Sequence, residues 1–254
     1  MDALILTLIF FLHRYFELNS YRYQYSFVSP YVRFLQSFQY LDRMPVYLKL
    51  VILVMPGLLF ATLIYYSAPS GLFFLFSLVI AWYGCDCRDW RRHPLSEMTV
   101  SSLQYHALPF LFSTLIWFLL LGPAGVLIYI SVRDCCELND EDLGCFAAVK
   151  EPLDRLWHYL DWLPARIAGL FMALIADFSS VFPVWLQNIS SVTQPSNQYW
   201  SAICDSALNS LRLTHSDAED GAAIEKLDNM VVLMDRCLVA LGAAALLLSF
   251  FVWL

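Results

Sequence analysis

Few residues in this chain are spaced for chemistry. Cys85-x-Cys87 with His93, and Cys135-Cys136 with Cys145, offer thiols and an imidazole that could hold a metal. Neither spacing is that of a zinc site, and interfacial or buried thiols are the plainer reading. His215 beside Asp217 could share a proton, but the pair sits in a polar loop and reads as solvated surface. There is no phosphate-cradling glycine loop ending in Lys-Ser/Thr, no paired-histidine zinc helix and no Gly-x-Ser-x-Gly elbow. No catalytic residue, metal or cofactor is expected. Arg166 is the residue most worth a ligand. A guanidinium at a membrane-proximal helix start is expensive unless paired, and Asp161 or Asp154 is the expected partner. A salt bridge fixing how this helix enters the membrane is favoured over ligand binding.

The elements that would position these groups are apolar. The chain has 254 residues, 59% hydrophobic, with mean hydropathy +0.59. These values indicate an all-α, polytopic integral membrane bundle with four to six membrane segments. Net charge is −7 with 15 Lys+Arg, which argues against a nucleic-acid partner. Tyr105–Val132 carries no formal charge over 28 residues. As one helix it would run ~42 Å, enough to cross a bilayer. Near its middle lie Gly122, Pro123, Ala124 and Gly125, which break or kink it. A kink and a full reversal are both open. In lipid such a break must face protein or a wet cavity.

The remaining segments form a single membrane domain. Residues 1–45 hold a short apolar stretch and an aromatic, arginine-bearing segment suited to the headgroup layer. No basic leader with a cleavage site is read there. Residues 46–84 read as a helical hairpin turning at 67–70. Arginines and a lysine flank it on both sides, so both flanks are expected in the cytoplasm. Residues 105–132 are the broken span, and 133–160 an acidic, solvated loop with helical turns. Asp161 three residues before Pro164 fits a helix start. That helix is expected to reach about Phe182, with 161–186 in the membrane. Residues 187–229 are polar, with Tyr199, Trp200, Ile203, Ala207, Leu208 and Leu211 at helical spacing. The last span is 230–254, with Asp235 and Arg236 near its beginning. Its Ala240/Ala244 face suits helix packing, and so a homo-oligomer.

Two motifs stand above background: Gly122-Pro123-Ala124-Gly125-Val126-Leu127-Ile128-Tyr129 and Leu160-Asp161-Trp162-Leu163-Pro164-Ala165-Arg166-Ile167. Together they resemble the AmpE/CobD–CbiB family of bacterial inner-membrane proteins, over about Leu108–Leu186. The resemblance marks Gly122, Pro123, Gly125, Tyr129, Arg133, Asp161, Trp162, Pro164 and Arg166 as family-motif residues, structural before ligand-binding. CobD/CbiB members are adenosylcobinamide-phosphate synthases, which form an amide. Their Asp-Pro, Gly-Arg-Asp-Thr and Ser-Pro-Asn-x-Gly stretches have no counterpart here, and Ser216–Glu225 is acidic. The AmpE branch is favoured. It implies a multi-pass inner-membrane regulator of β-lactamase induction or envelope response, not an enzyme, with the bilayer and a membrane or periplasmic protein as partners. A divergent synthase and a small-molecule transporter are the alternatives, the latter because broken helices often mark midplane sites.

Overall fold

The computed structural model describes residues 28–67, 77–80, 83–84, 100–191, 194–212 and 222–253, and every regular element among them is helical. The N-terminal stretch to residue 27, the turn at 68–70, Cys85, Cys87, His93, His215 and the 216–221 link lie outside these residues. In chain order the helices are α1 (Val28–Gln36), α2 (Val46–Ser67), α3 (Val100–Ala107), α4 (Ser113–Glu137), α5 (Asp140–Leu143), α6 (Lys150–Ile175), α7 (Phe178–Asn188), α8 (Ser196–Arg212) and α9 (Ala222–Trp253). One wide turn, Leu108–Phe112, joins α3 to α4, and its bonding ends with the Ser113 N–H on the Leu108 carbonyl.

Two stretches are long and apolar enough to cross a membrane, 100–137 and 225–247. The first is not one rod. At Gly122 the backbone leaves the helix, with φ 67° and ψ −154°. A Cβ built on Gly125 would stand 2.6 Å from the Trp117 carbonyl oxygen. In a straight helix residues eight apart are ~12 Å apart along the axis. Ser113 and Tyr129 would be ~24 Å apart, yet both hydroxyls lie 2.7 Å from one oxygen of Asp161. The chain therefore reverses at residue 122, and α4 is a hairpin with arms 113–121 and 123–137. Sequence explains the reversal. Gly122 takes a backbone conformation that is essentially glycine-only. Pro123 then opens the second arm, where a missing N–H costs nothing.

The second arm is the axis of the fold. Pro123, Gly125, Val126 and every residue from Tyr129 to Cys136 are buried. α2 packs along it: a Cβ on Gly57 would come within 3.1 Å of the Leu127 carbonyl oxygen, and the Lys49 ammonium donates to the Cys145 carbonyl at 2.7 Å. Leu120 and Leu121 at the tip are exposed, as are Leu58, Leu59 and Phe60 on α2 and Val239, Leu246 and Leu247 on α9. Apolar surface of this extent suits lipid rather than water. The reversal places residues 101 and 140 at the same end of the hairpin. Cysteines introduced at the exposed Ser101 and Asp140 are expected to react with an impermeant maleimide from the same face of the membrane. Labelling from opposite faces, read peptide by peptide, would restore the single span.

Two helix-interior prolines are used alike. A proline at position i leaves the carbonyl of i−4 without its helical donor. Pro56 frees the Ile52 carbonyl, which accepts the Tyr31 hydroxyl at 2.8 Å. Pro164 frees the Leu160 carbonyl, which accepts Trp117 Nε1 at 3.1 Å. Each proline thus clamps its helix to another element. Trp117→Phe is expected to lower stability by about 1–2 kcal/mol by stranding that carbonyl. Pro164→Ala, which restores a local donor, is expected to offset part of the loss. A double-mutant cycle on thermal unfolding in detergent measures the coupling, and strict additivity would dissolve the clamp.

Several expectations are corrected here. Asp161 and Pro164 do not start a helix: α6 begins at Lys150, because Pro164 is tolerated inside it through the Trp117 bond. The helix does not reach Phe182. It ends at Ile175, Ala176 is extended, and Asp177 caps α7 by accepting the Ser179 N–H at 3.3 Å. The Ser180 and Ser179 hydroxyls hold the exposed Asp177 carboxyl below its ordinary range. Within 133–160 the acidic residues Glu137, Asp140, Glu141, Glu151 and Asp154 are exposed, as expected of a solvated acidic stretch, but its beginning is not. Arg133 and Asp134 are buried in the second arm, and α5, a 3-10 segment and α6 follow. α9 starts at Ala222, ahead of the expected span, and carries Asp235 and Arg236 within it. The amphipathic reading of α8 holds: Tyr199, Trp200, Ile203, Ala207 and Leu208 are buried against Ala165, Ala168, Met172 and α9.

Candidate functional site

The polar centre of the molecule lies where α6 meets both arms of α4. Asp161, 3% exposed, accepts Ser113 Oγ from the first arm and the Tyr129 hydroxyl from the second, both on Oδ1 and both at 2.7 Å. Trp157 Nε1 reaches the Tyr129 hydroxyl at 3.4 Å. One carboxylate oxygen therefore ties the hairpin shut and fixes it to α6. Burial pushes the Asp161 carboxyl up to about 6, against the lowering effects of the two hydroxyls, Arg133 and His158. The wide turn at Leu108–Phe112 sets the rotation at which Ser113 leaves the first arm. Extra-wide helical turns of this kind often adjoin functional groups.

Arg133, 1% exposed, pairs with neighbouring Asp134 at 2.9 Å. It also donates to the Gly84 carbonyl at 3.4 Å and lies 4.4 Å over the Phe110 ring. Pairing the guanidinium with the adjacent carboxylate offsets part of the cost of burying both charges, and neither is left uncompensated. The same Gly84 carbonyl accepts the Thr114 hydroxyl at 3.3 Å.

Arg166 stands apart and corrects a further expectation. Its partner is neither Asp161 nor Asp154. The guanidinium donates to the carbonyls of Ser191 at 2.7 Å, Asn188 at 3.3 Å and Ile189 at 3.5 Å. Those carbonyls include the open C-terminal end of α7, the end that favours a cation. Trp185 Nε1 returns a bond to the Arg166 carbonyl at 2.9 Å. The guanidinium carbon lies 4.1 Å over the Tyr199 ring and 5.0 Å over Trp162. Burial pushes the Tyr199 phenol up to about 12, so it remains a donor at neutral pH.

The family-motif residues thus divide. Tyr129 and Asp161 meet directly, and Pro164 frees the carbonyl beside them. Gly122 supplies the turn through its backbone and not by packing, since a Cβ there would meet nothing. Gly125 packs, though on its own opposite arm and not on a crossing helix. Arg133 pairs locally, and Trp162 and Arg166 form a separate group. Sequence reasoning passed over Ser113, Trp117, Asp134, Trp157 and Tyr199. The proline rule could have found Trp117, because the carbonyl four residues before a buried helical proline requires a donor from elsewhere. Cys135, Cys136, Cys204 and Cys237 are buried free thiols, and Cys145 is half-buried.

An apolar helical hairpin clamped by one buried carboxylate, with flanking helices that expose apolar faces, defines a helical scaffold of membrane type. The profile of one family, described as the regulatory signalling modulator protein AmpE, matches residues 86–247, well over half of the chain. The chain belongs to the AmpE family. No curated protein and no solved structure matches it.

Proposed function

We propose that this protein is a multi-pass inner-membrane regulator of β-lactamase induction or of a related envelope response, acting by conformation and partner contact rather than by bond formation. The family match over residues 86–247 carries this reading. Supporting it, the central polar groups are consumed by one another: Asp161 by Ser113 and Tyr129, Arg133 by Asp134. α2, the two arms of α4 and α9 form the four membrane segments, their exposed leucines and valines facing lipid. α6 and α8 carry the charged surface and pack across them.

The deciding experiment deletes the gene and follows β-lactamase activity after challenge with an inducing β-lactam. An altered induction curve, restored by the wild-type chain and not by a variant with a disrupted clamp, is expected. An unchanged curve together with an unchanged envelope-stress response would refute the regulatory role. Complementation of a strain lacking cobinamide-phosphate synthase is the counter-test. Growth there would move the chain to the amide-forming branch.

A further inference from the structure

Three buried polar groups without a hydrogen-bond partner belong to Arg166 and to the two rings stacked on it. Trp162, Arg166 and Gly169 lie on one face of α6 at helical spacing, turned toward Tyr199 of α8 and Trp185 of α7. Arg166 is 4% exposed and Tyr199 1%. Arg166 Nη1, the Tyr199 hydroxyl and Trp162 Nε1 are each buried with no hydrogen-bond partner. Among the described residues no carboxylate pairs with Arg166. Its charge is met only by carbonyl dipoles on Nε and Nη2 and by two aromatic faces.

The polarity of what is missing follows. A stranded buried donor costs about 1–3 kcal/mol, more when it is charged. The indole and the guanidinium can only donate, the Tyr199 hydroxyl is free to donate, and all three belong to residues in contact around a single positive charge. One acceptor bearing one negative charge satisfies them together, whereas a water would leave the charge uncompensated. The surroundings are closely packed. A Cβ on Gly169 would come within 2.9 Å of the Tyr199 hydroxyl and 3.2 Å of Trp185 Cδ1. A side chain at 169 would force the hydroxyl to shift.

We infer that Arg166, Tyr199 and Trp162 form a binding site for a singly charged oxyanion, a carboxylate or phosphodiester group, held between α6, α8 and the C-terminal end of α7. Arg166 neutralises the anion through Nη1 while its other nitrogens stay on the carbonyls of Asn188, Ile189 and Ser191. Tyr199 and Trp162 donate from either side. The anion would therefore tie the end of α7 to α6, giving a membrane regulator a ligand-dependent joint. The site stands on these contacts and holds whether or not the regulatory reading does.

The test uses the full chain in neutral detergent, with tryptophan fluorescence and thermal midpoint as readouts. Sodium acetate and inorganic phosphate are titrated at constant ionic strength set with sodium chloride. In a third arm, phosphatidylglycerol is raised in phosphatidylcholine nanodiscs. A saturable fluorescence change with a rising midpoint is expected in at least one arm. A response to acetate or phosphate identifies a soluble anion, and a response to phosphatidylglycerol alone identifies a lipid headgroup. Tyr199→Phe keeps the ring under Arg166 and is expected to weaken that response about tenfold or more. Trp162→Phe serves the same purpose should the first variant unfold. Absence of a saturable response in all three arms, or unchanged affinity in a folded Tyr199→Phe or Trp162→Phe protein, overturns the site.

Discussion

Gly122→Ala is expected to destabilise the protein although the new methyl group touches nothing. A Cβ at Gly122 has open space within 4 Å, and so does one at Gly242. The two positions differ in backbone alone. Gly122 sits at φ 67°, while Gly242 lies in the regular helix α9 without a positive φ. Forcing an L-residue into the Gly122 conformation costs about 1–3 kcal/mol. Gly242→Ala removes a flexible residue from a helix interior and is expected to gain roughly 0.5–1 kcal/mol. The same mutation in equally empty space should thus have opposite signs. The larger consequence of Gly122→Ala is topological. If the turn relaxes toward helix, the arms straighten, and Ser113 and Tyr129 can no longer share Asp161. Thermal unfolding in detergent, with limited proteolysis at the tip, reads both effects. A Gly122→Ala protein as stable and as protease-resistant as wild type would mean that the reversal does not depend on glycine.

This turn also shows what the sequence made legible. Gly122-Pro123 in an apolar run marked a break, because glycine and proline act through their own backbones and need no partner. The face of α8 could be read for a similar reason: its periodicity is local. What could not be read was convergence. Ser113, Tyr129 and Asp161 are far apart along the chain, and no spacing rule states that their oxygens meet. Asp161 before Pro164 has the look of a helix start, and only a distant indole, Trp117, turns that proline into a helix-interior residue. Arg166 was assigned a carboxylate because the nearest charges in sequence are acidic. Its structural partners are carbonyls supplied by a helix end at Asn188–Ser191, whose position depended on recognising the break at Ala176-Asp177. Pro183 is a more conspicuous stop than this break, yet it stands at the sixth position of α7, inside the helix.

Asp161→Ala is expected to have the largest effect of any single substitution in the polar centre. It removes the acceptor of two buried hydroxyls at once, Ser113 Oγ and the Tyr129 hydroxyl. At about 1–3 kcal/mol for each stranded group, the loss is about 2–6 kcal/mol, against a total stability of about 5–15 kcal/mol for an ordinary domain. Asp161→Asn keeps an oxygen acceptor at the same place and should lose far less. The two variants also separate in their pH response. Burial raises the Asp161 carboxyl from 3.8 to about 6 in the folded chain. The native state then holds a proton that the unfolded state has released between about pH 4 and 6, so stability is highest below that window and falls as pH rises through it. The fall is roughly 3 kcal/mol by pH 7, at 1.36 kcal/mol per unit. Wild type should therefore melt at a lower temperature at pH 7.5 than at pH 5. Asp161→Asn, which has nothing to ionise there, should show a flatter profile, and Asp161→Ala should be flat but lower at both pH values. A wild-type midpoint that rises across this range, or an Asp161→Ala protein that melts with the wild type, would remove the carboxylate from its place as the clamp between the two arms.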